Sequence, residues 1–368
     1  MKQPRQSNIE LLRILCMLAI LGDHLTGQSG IAVFGQSLPQ TFAFALLGCG
    51  ARIACSVFVL AGSWFLCGQP FATRRPLGLW CSLWLYTVPV TLLCAALGKP
   101  VTAGTLRWAV FPASTRQLWF VSDYLVLLLC QPLLERVLHG LPRAGHKALL
   151  LAAGVPLVAY PTLFAEDGVL SDLAWMFLYL YLLAAYLRRW PDNRISRLLR
   201  RRPVALVLGL GLPLLNTAAR AWLECNGATG KAVQYVMYYR SALGALPNLA
   251  AALAWFTLFQ GLDLGRRRGI NAVASTTLGV YILHQVPAAR DLLWNDILHA
   301  PQHAGSVGYA VFALLATFAG CALLDALRTK LVMQPLQRSR WFRTICAKGD
   351  AAAALVAPPG SPTSPNAP

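Results

Sequence analysis

Charge is scarce in this chain. Only 12% of its 368 residues are Asp, Glu, Lys or Arg, about half the share of an ordinary soluble domain. With so many apolar residues beside so few charges, both a disordered polypeptide and an ordinary water-soluble enzyme are excluded. Acidic residues are the scarcest, 14 against 32 basic. The resulting net charge of +18 would point to nucleic acid in a soluble protein. No glycine–aromatic or zinc-finger pattern accompanies the basic residues, however, and they bunch between apolar blocks, so no nucleic-acid partner is expected. No CxxC pair occurs among the ten cysteines, which argues against a disulfide framework and a metal site. Cys16, Cys55, Cys94 and Cys321 fall inside apolar blocks, where a thiol packs as a small hydrophobe. Long polar stretches are missing too. The longest connections, 98–116 and 220–240, are too short for a separate globular domain.

Apolar side chains are abundant, 57% of the total. They come in blocks of about twenty residues, the length that crosses a hydrocarbon layer of ~30 Å. Ten spans are predicted, at 8–27, 44–66, 77–97, 117–136, 147–165, 171–189, 203–219, 241–262, 270–290 and 307–330. The expected fold is an all-α polytopic membrane helix bundle. The first block is interrupted by Glu10, Arg13, Asp23 and His24, with no small-residue cleavage site after it, so it reads as a retained span. Pro89, Pro132, Pro156 and Pro213 fall in or near span ends, where neighbouring helices can satisfy the freed carbonyls. With the N-terminus inside, 23 of the 32 basic residues lie on the cytoplasmic side, beginning with Lys2 and Arg5. Seven lie outside, namely Lys99, Arg107, Arg116, Arg220, Lys231, Arg240 and Arg290, while Arg13 and Arg52 are within spans. That bias puts both termini in the cytoplasm. Residues 1–345 are read as the integral-membrane domain and 346–368, rich in Ala and Pro, as a disordered cytoplasmic tail.

An ionisable side chain within a span is a functional-site hypothesis, because leaving it there unpaired is costly. Arg13 and His24 are eleven residues apart, which puts them on one helical face within ~20° and about 16 Å apart along it. Taken alone, Arg13 also reads as a snorkelling side chain, and His24 as a hydrogen-bonded structural residue. Arg52 lies too deep in the second span to snorkel, so it lines a polar cavity or pairs with an acid. Ser56 and Ser63 share its face and also suit plain helix packing. The fourth span brings Trp119, Asp123 and Tyr124 to its outer third. The two aromatics fit an interfacial belt, whereas Asp123 is a candidate partner for Arg52. The ninth span carries His284 to the outer half. His24, Arg52, Asp123 and His284 thus arrive at similar depths from independent spans, with Arg13 and the pair Arg74 and Arg75 below them. A cavity with an imidazole above and cations below suits a long anionic donor entering from the cytoplasm. Arg74 and Arg75 equally suit plain positive-inside markers.

These residues also carry a resemblance. NIELLRILCMLAILGDH, from Asn8 to His24, resembles the first-span signature of the bacterial acyltransferase type 3 family. CSVFVLAGSWFL (Cys55 to Leu66), LWFVSDYLVLLLCQPLL (Leu118 to Leu134) and STTLGVYILHQVP (Ser275 to Pro287) resemble three further motifs of that family, in the same order. The resemblance covers about residues 8–335. It implies a multi-pass enzyme of the bacterial cytoplasmic (inner) membrane. Such an enzyme moves an acyl group, usually acetyl, from cytoplasmic acyl-CoA to a hydroxyl of a surface polysaccharide, glycolipid or similar acceptor. His24 becomes the catalytic imidazole and Arg13 its paired arginine.

The chemistry suits the residues, since an alcohol attacking a thioester needs a base near neutral pKa. Arg52 would stabilise the developing oxyanion or position the acceptor. Ser56, Trp119, Asp123, Tyr124 and His284 are candidate substrate-binding residues, and Arg74 and Arg75 candidate donor-binding ones. No permanently bound cofactor or metal is expected; acyl-CoA is the donor substrate. Membrane lipids and polysaccharide-synthesis proteins are the other expected partners. Two rival readings remain: a transporter or flippase for an anionic glycolipid, and a non-catalytic assembly partner of a polysaccharide synthase.

Overall fold

The computed structural model describes residues 6–170 and 172–358. Lys2, Arg5, the first residue of the sixth predicted span and positions 359–368 of the predicted tail lie outside the described residues. Every regular element among the described residues is helical. In chain order these are α1 (Ser7–Gln28), α2 (Leu38–Leu47), α3 (Ala51–Leu66), α4 (Arg74–Ala96), α5 (Ala103–Val110), α6 (Trp119–Leu138), α7 (Arg143–Phe164) and α8 (Leu173–Arg189). There follow α9 (Arg194–Leu199), α10 (Arg202–Cys225), α11 (Lys231–Ser241), α12 (Leu246–Gln260), α13 (Arg268–Ala274), α14 (Thr277–Gln285), α15 (Pro287–Asp291), α16 (Val307–Arg338) and α17 (Arg340–Ala354). Six segments are long and apolar enough to cross a membrane: Leu38–Leu66, α4, α7, α10, Lys231–Gln260 and α16. Outside those six are α1 and α6, each with three acidic or basic residues, α8 with 17 residues, and the short α13 and α14. The helices that carry His24, Asp123 and His284 are therefore among the more polar or shorter ones.

Packing sorts the helices by polarity. Only 22% of the apolar window of α16 is buried, and Leu323, Leu324 and Leu331 stand exposed on it, as a lipid-facing surface requires. By contrast, α8 is buried around most of its circumference, including Phe177, Leu180, Tyr181 and Ala185. A helix apolar all round belongs inside. It packs on α3, which in turn packs on α1. Both ends of α1 are fastened by side chains. Ser7 donates to Asn271 (3.0 Å) and Asn8 to the Phe259 carbonyl (2.9 Å) at one end, while Gln28 accepts from Gln285 (3.0 Å) at the other.

Several predicted spans are interrupted. The second breaks at Gly48–Gly50, where Gly50 has φ +83°, a conformation glycine adopts without a Cβ clash. The eighth breaks between Ser241 and Leu246, and Asn248 repairs it by donating to the Tyr239 (2.5 Å) and Ala242 (2.6 Å) carbonyls. The ninth breaks after Ala274 and again at Val286, before Pro287; the residue before a proline is pushed out of the helical region. Widened π turns at Val155–Ala159, Val207–Gly211 and Thr329–Met333 each end two residues before a proline, Pro161, Pro213 and Pro335. These turns accommodate the lost N–H and the ring's clash with the carbonyl four residues back.

The connections 98–116 and 220–240 hold α5, the end of α10 and most of α11. One expectation needs correction. The tail expected from residue 346 is helical through Ala354. Phe342 and Cys346 are buried against Cys81 and Met333, and Asp350 accepts from the Thr73 amide at 2.6 Å. These three lie four residues apart on one face, and alanine, read in the sequence as low complexity, is the best helix former.

Candidate active site

His24 lies in the last turns of α1 and His284 in the last turn of α14. Their rings meet, with Nδ1 of His24 2.8 Å from Nε2 of His284. Nδ1 of His284 is 2.5 Å from the carbonyl of Val280, four residues back on its own helix. A carbonyl can only accept, so Nδ1 of neutral His284 carries the proton and its Nε2 is a lone pair. Nδ1 of His24 must then donate, which leaves Nε2 of His24 as an unprotonated acceptor. His284 is fully buried, whereas His24 keeps part of its ring accessible. The pair can therefore orient a base and stabilise the imidazolium formed when that base takes a proton.

Aromatic rings wall this pair. Tyr281 is 6.3 Å from His24 and 5.9 Å from Phe120, centroid to centroid. Phe120 stacks on Tyr124 and meets Trp119 edge-on. Tyr124 reaches α3 because position 62 is glycine; a methyl group there would overlap the Tyr124 hydroxyl. Arg52 lays its guanidinium over Trp119, 4.9 Å from the ring centroid, a cation–π contact. Arg52 and Arg290 are both within electrostatic reach of the His24 ring.

A family model described as an acyltransferase domain matches residues 6–326. The chain belongs to the acyltransferase type 3 family. No curated protein and no solved structure matches it. Membership makes this a membrane acyltransferase in general terms.

The remaining predicted residues divide. Arg13 pairs with Glu10 at 3.0 Å and faces the Phe58 ring. It also comes within electrostatic reach of the Tyr124 hydroxyl, as does Arg75. Arg75 turns inward, bonding the Pro70 carbonyl at 3.2 Å and Gln131 at 3.5 Å. Arg74, its sequence neighbour, is exposed and donates to Gln337 of α16 at 2.6 Å. The two arginines therefore serve different surroundings. Asp123 is not the partner of Arg52. Both its oxygens accept from Arg116 at 3.1 Å, and Arg116 also holds Asp172. Arg116 sits seven residues before Asp123, in the turn that leads into α6, where its φ is +50°, and claims its charge. Ser56 and Ser63 are fully buried, and their hydroxyls have no hydrogen-bond partner among the described residues.

Sequence reasoning missed Tyr281, Arg220, Arg240 and Arg290. Arg240 ion-pairs with Asp23, the residue before His24, and Arg220 pairs with Glu224 at 2.9 Å while facing the Phe34 ring. Arg52, Arg220 and Arg240 line one cavity of about 280 Å³. A usable signal was present. The outer connections were predicted to be poor in cations, so each arginine left there was exceptional: Arg220 and Arg240 line the cavity, Arg290 is within electrostatic reach of His24 and Arg116 holds Asp123.

Proposed function

We propose that this enzyme transfers an acyl group, acetyl in the first instance, from acyl-CoA to a hydroxyl of a surface polysaccharide, glycolipid or similar acceptor. We further propose that it acts from the bacterial cytoplasmic membrane, crossing it ten times with both termini inside. The observation that carries the catalytic reading is the proton order along Val280, His284 and His24, which leaves Nε2 of His24 free to accept. In the transfer step this nitrogen takes the acceptor's hydroxyl proton as the oxygen attacks the thioester carbonyl. Collapse of the tetrahedral intermediate breaks the carbon–sulfur bond, and the departing thiolate takes the proton from the imidazolium. His284 acts as a positioning residue, accepting from Nδ1 of His24 throughout. Arg52 suits one of two roles, stabilising the developing oxyanion or positioning the acceptor. Arg75 and Arg13, both within electrostatic reach of the Tyr124 hydroxyl, suit the anionic donor.

Purified full-length protein supplied with radiolabelled acetyl-CoA and surface glycan tests the reading. His24→Ala should lower transfer ~10²–10⁴-fold, the usual loss when a general acid–base is removed, while the variant still inserts and elutes as one species. Undiminished transfer by that variant would refute the assignment of His24. Glycan translocation by the wild-type protein without acyl transfer would instead favour the transporter reading.

A further inference from the structure

The cavity of about 280 Å³ beside the histidine pair has an unusual lining for a hydrophobic bundle. Three guanidinium groups reach it from separate helices: Arg52 from α3, Arg220 from α10 and Arg240 from α11. Two carboxylates balance them in part, Glu224 on Arg220 and Asp23 on Arg240. Arg52 has no ion pair among the described residues, and its guanidinium lies over the Trp119 ring. With those two carboxylate partners counted, the surroundings of the cavity hold one more positive charge than negative. A partly desolvated cation without a counter-charge is costly in an apolar bundle, and an anion entering the cavity would relieve that cost.

The backbone around the cavity is built to keep it open. It lies at two of the helix interruptions, Gly48–Gly50 and the break before Leu246, with Gly48, Gly50 and Asn248 in its wall. Irregular backbone within a membrane bundle is tolerated where it is enclosed by protein or lines a polar space. A Cβ at Gly48 would come 2.7 Å from the Thr26 hydroxyl, so a side chain there would overlap Thr26. The volume is near the lower end of the ~300–1,000 Å³ typical of ligand sites. It suits one sugar-sized group and not a whole oligosaccharide.

We propose that this cavity is the acceptor subsite and that it recognises an oxyanion, a phosphate or a carboxylate, carried by the sugar that is acylated or by its neighbour. Arg52 binds the oxyanion directly, with Arg220 and Arg240 beside it in the cavity wall. The proposal rests on the acyl-transfer reading above. Arg52 links the two sites, being both in the cavity wall and within electrostatic reach of His24. An acceptor anchored there by its charge presents a hydroxyl toward the imidazole.

The test is binding to the full-length protein in detergent, followed by ligand-induced thermal stabilisation, with glucose 1-phosphate, glucuronate and glucose as probes. Both anionic sugars, or one of them, should bind at least tenfold more tightly than glucose, and the tighter of the two identifies the oxyanion. Arg52→Gln should lose about tenfold or more of that affinity, the scale of one charge-assisted hydrogen bond, whereas Arg52→Lys should keep more of it. Equal binding of glucose and both anions to the wild-type protein would overturn the proposal, and so would unchanged anion affinity in Arg52→Gln. Displacement of the probe by coenzyme A would also overturn it, by assigning the arginines to the donor. The two readings fail separately. His24→Ala should still bind the anionic sugar. Anion binding with no transfer to any acceptor refutes the enzyme reading alone, and transfer to neutral sugars without anion preference refutes the subsite alone.

Discussion

Replacing His284 with phenylalanine isolates the proton order at the centre of the site. The ring is fully buried beside Tyr281, and phenylalanine keeps a planar ring there at some cost in overpacking, which the folding control below measures. What disappears is the Nδ1–H bonded to the Val280 carbonyl and, on the catalytic side, Nε2, the acceptor 2.8 Å from Nδ1 of His24. Without it, His24 has no partner fixing its tautomer and its imidazolium loses a hydrogen bond. A hydrogen bond to a charged group contributes ~1.5–3 kcal/mol, so kcat should fall about ten- to a hundredfold. The fall should be smaller than for His24→Ala, because the base itself remains. His284→Gln is the informative companion, since its side-chain oxygen can reach toward the position of Nε2 and should restore part of the lost rate. Steady-state acetyl transfer by purified variants, with thermal unfolding as a folding control, provides the measurement. Wild-type activity in His284→Phe, or no difference between the Phe and Gln variants, would refute the orienting role.

Arg75→Gln should raise the KM for acyl-CoA several-fold with little change in acceptor KM, while Arg74→Gln leaves both within about twofold; initial-rate kinetics with each substrate varied will decide, and equal effects of the two would remove the distinction drawn from their side-chain directions. Gly62→Ala should destabilise the protein by ~1–3 kcal/mol through overpacking. Adding Tyr124→Phe should recover part of that loss, because the next ring atom of Tyr124 lies 3.2 Å from the added carbon; identical melting temperatures for the single and double variants would contradict this. Reporter fusions at residues 195 and 350 should both read as cytoplasmic, and an external reading at either would overturn the topology.

Much of this protein was decided by local sequence. Hydropathy adds along a chain, so blocks of about twenty apolar residues specify a helical membrane protein without knowledge of their neighbours. Helix geometry is equally local, which is why the common face of Arg13 and His24 could be derived from an eleven-residue spacing. The scarcity of cations in the predicted outer connections pointed toward the site as well, although it could not say which arginine served which group. Partner choice was beyond local reasoning. His24 and His284 are separated by 260 positions, and only the packing of α1 beside α14 brings the two nitrogens into hydrogen-bond range. Depth along a span, the quantity available beforehand, suggested Arg52 for Asp123. The fold instead gave that carboxylate to Arg116 and left Arg52 facing Trp119 and the cavity. It likewise parted Arg74 from Arg75, adjacent residues that point about 100° apart on a helix. An ion pair forms at a few ångströms, and rotating a helix by one residue changes which groups come that close. Tertiary packing alone sets those distances.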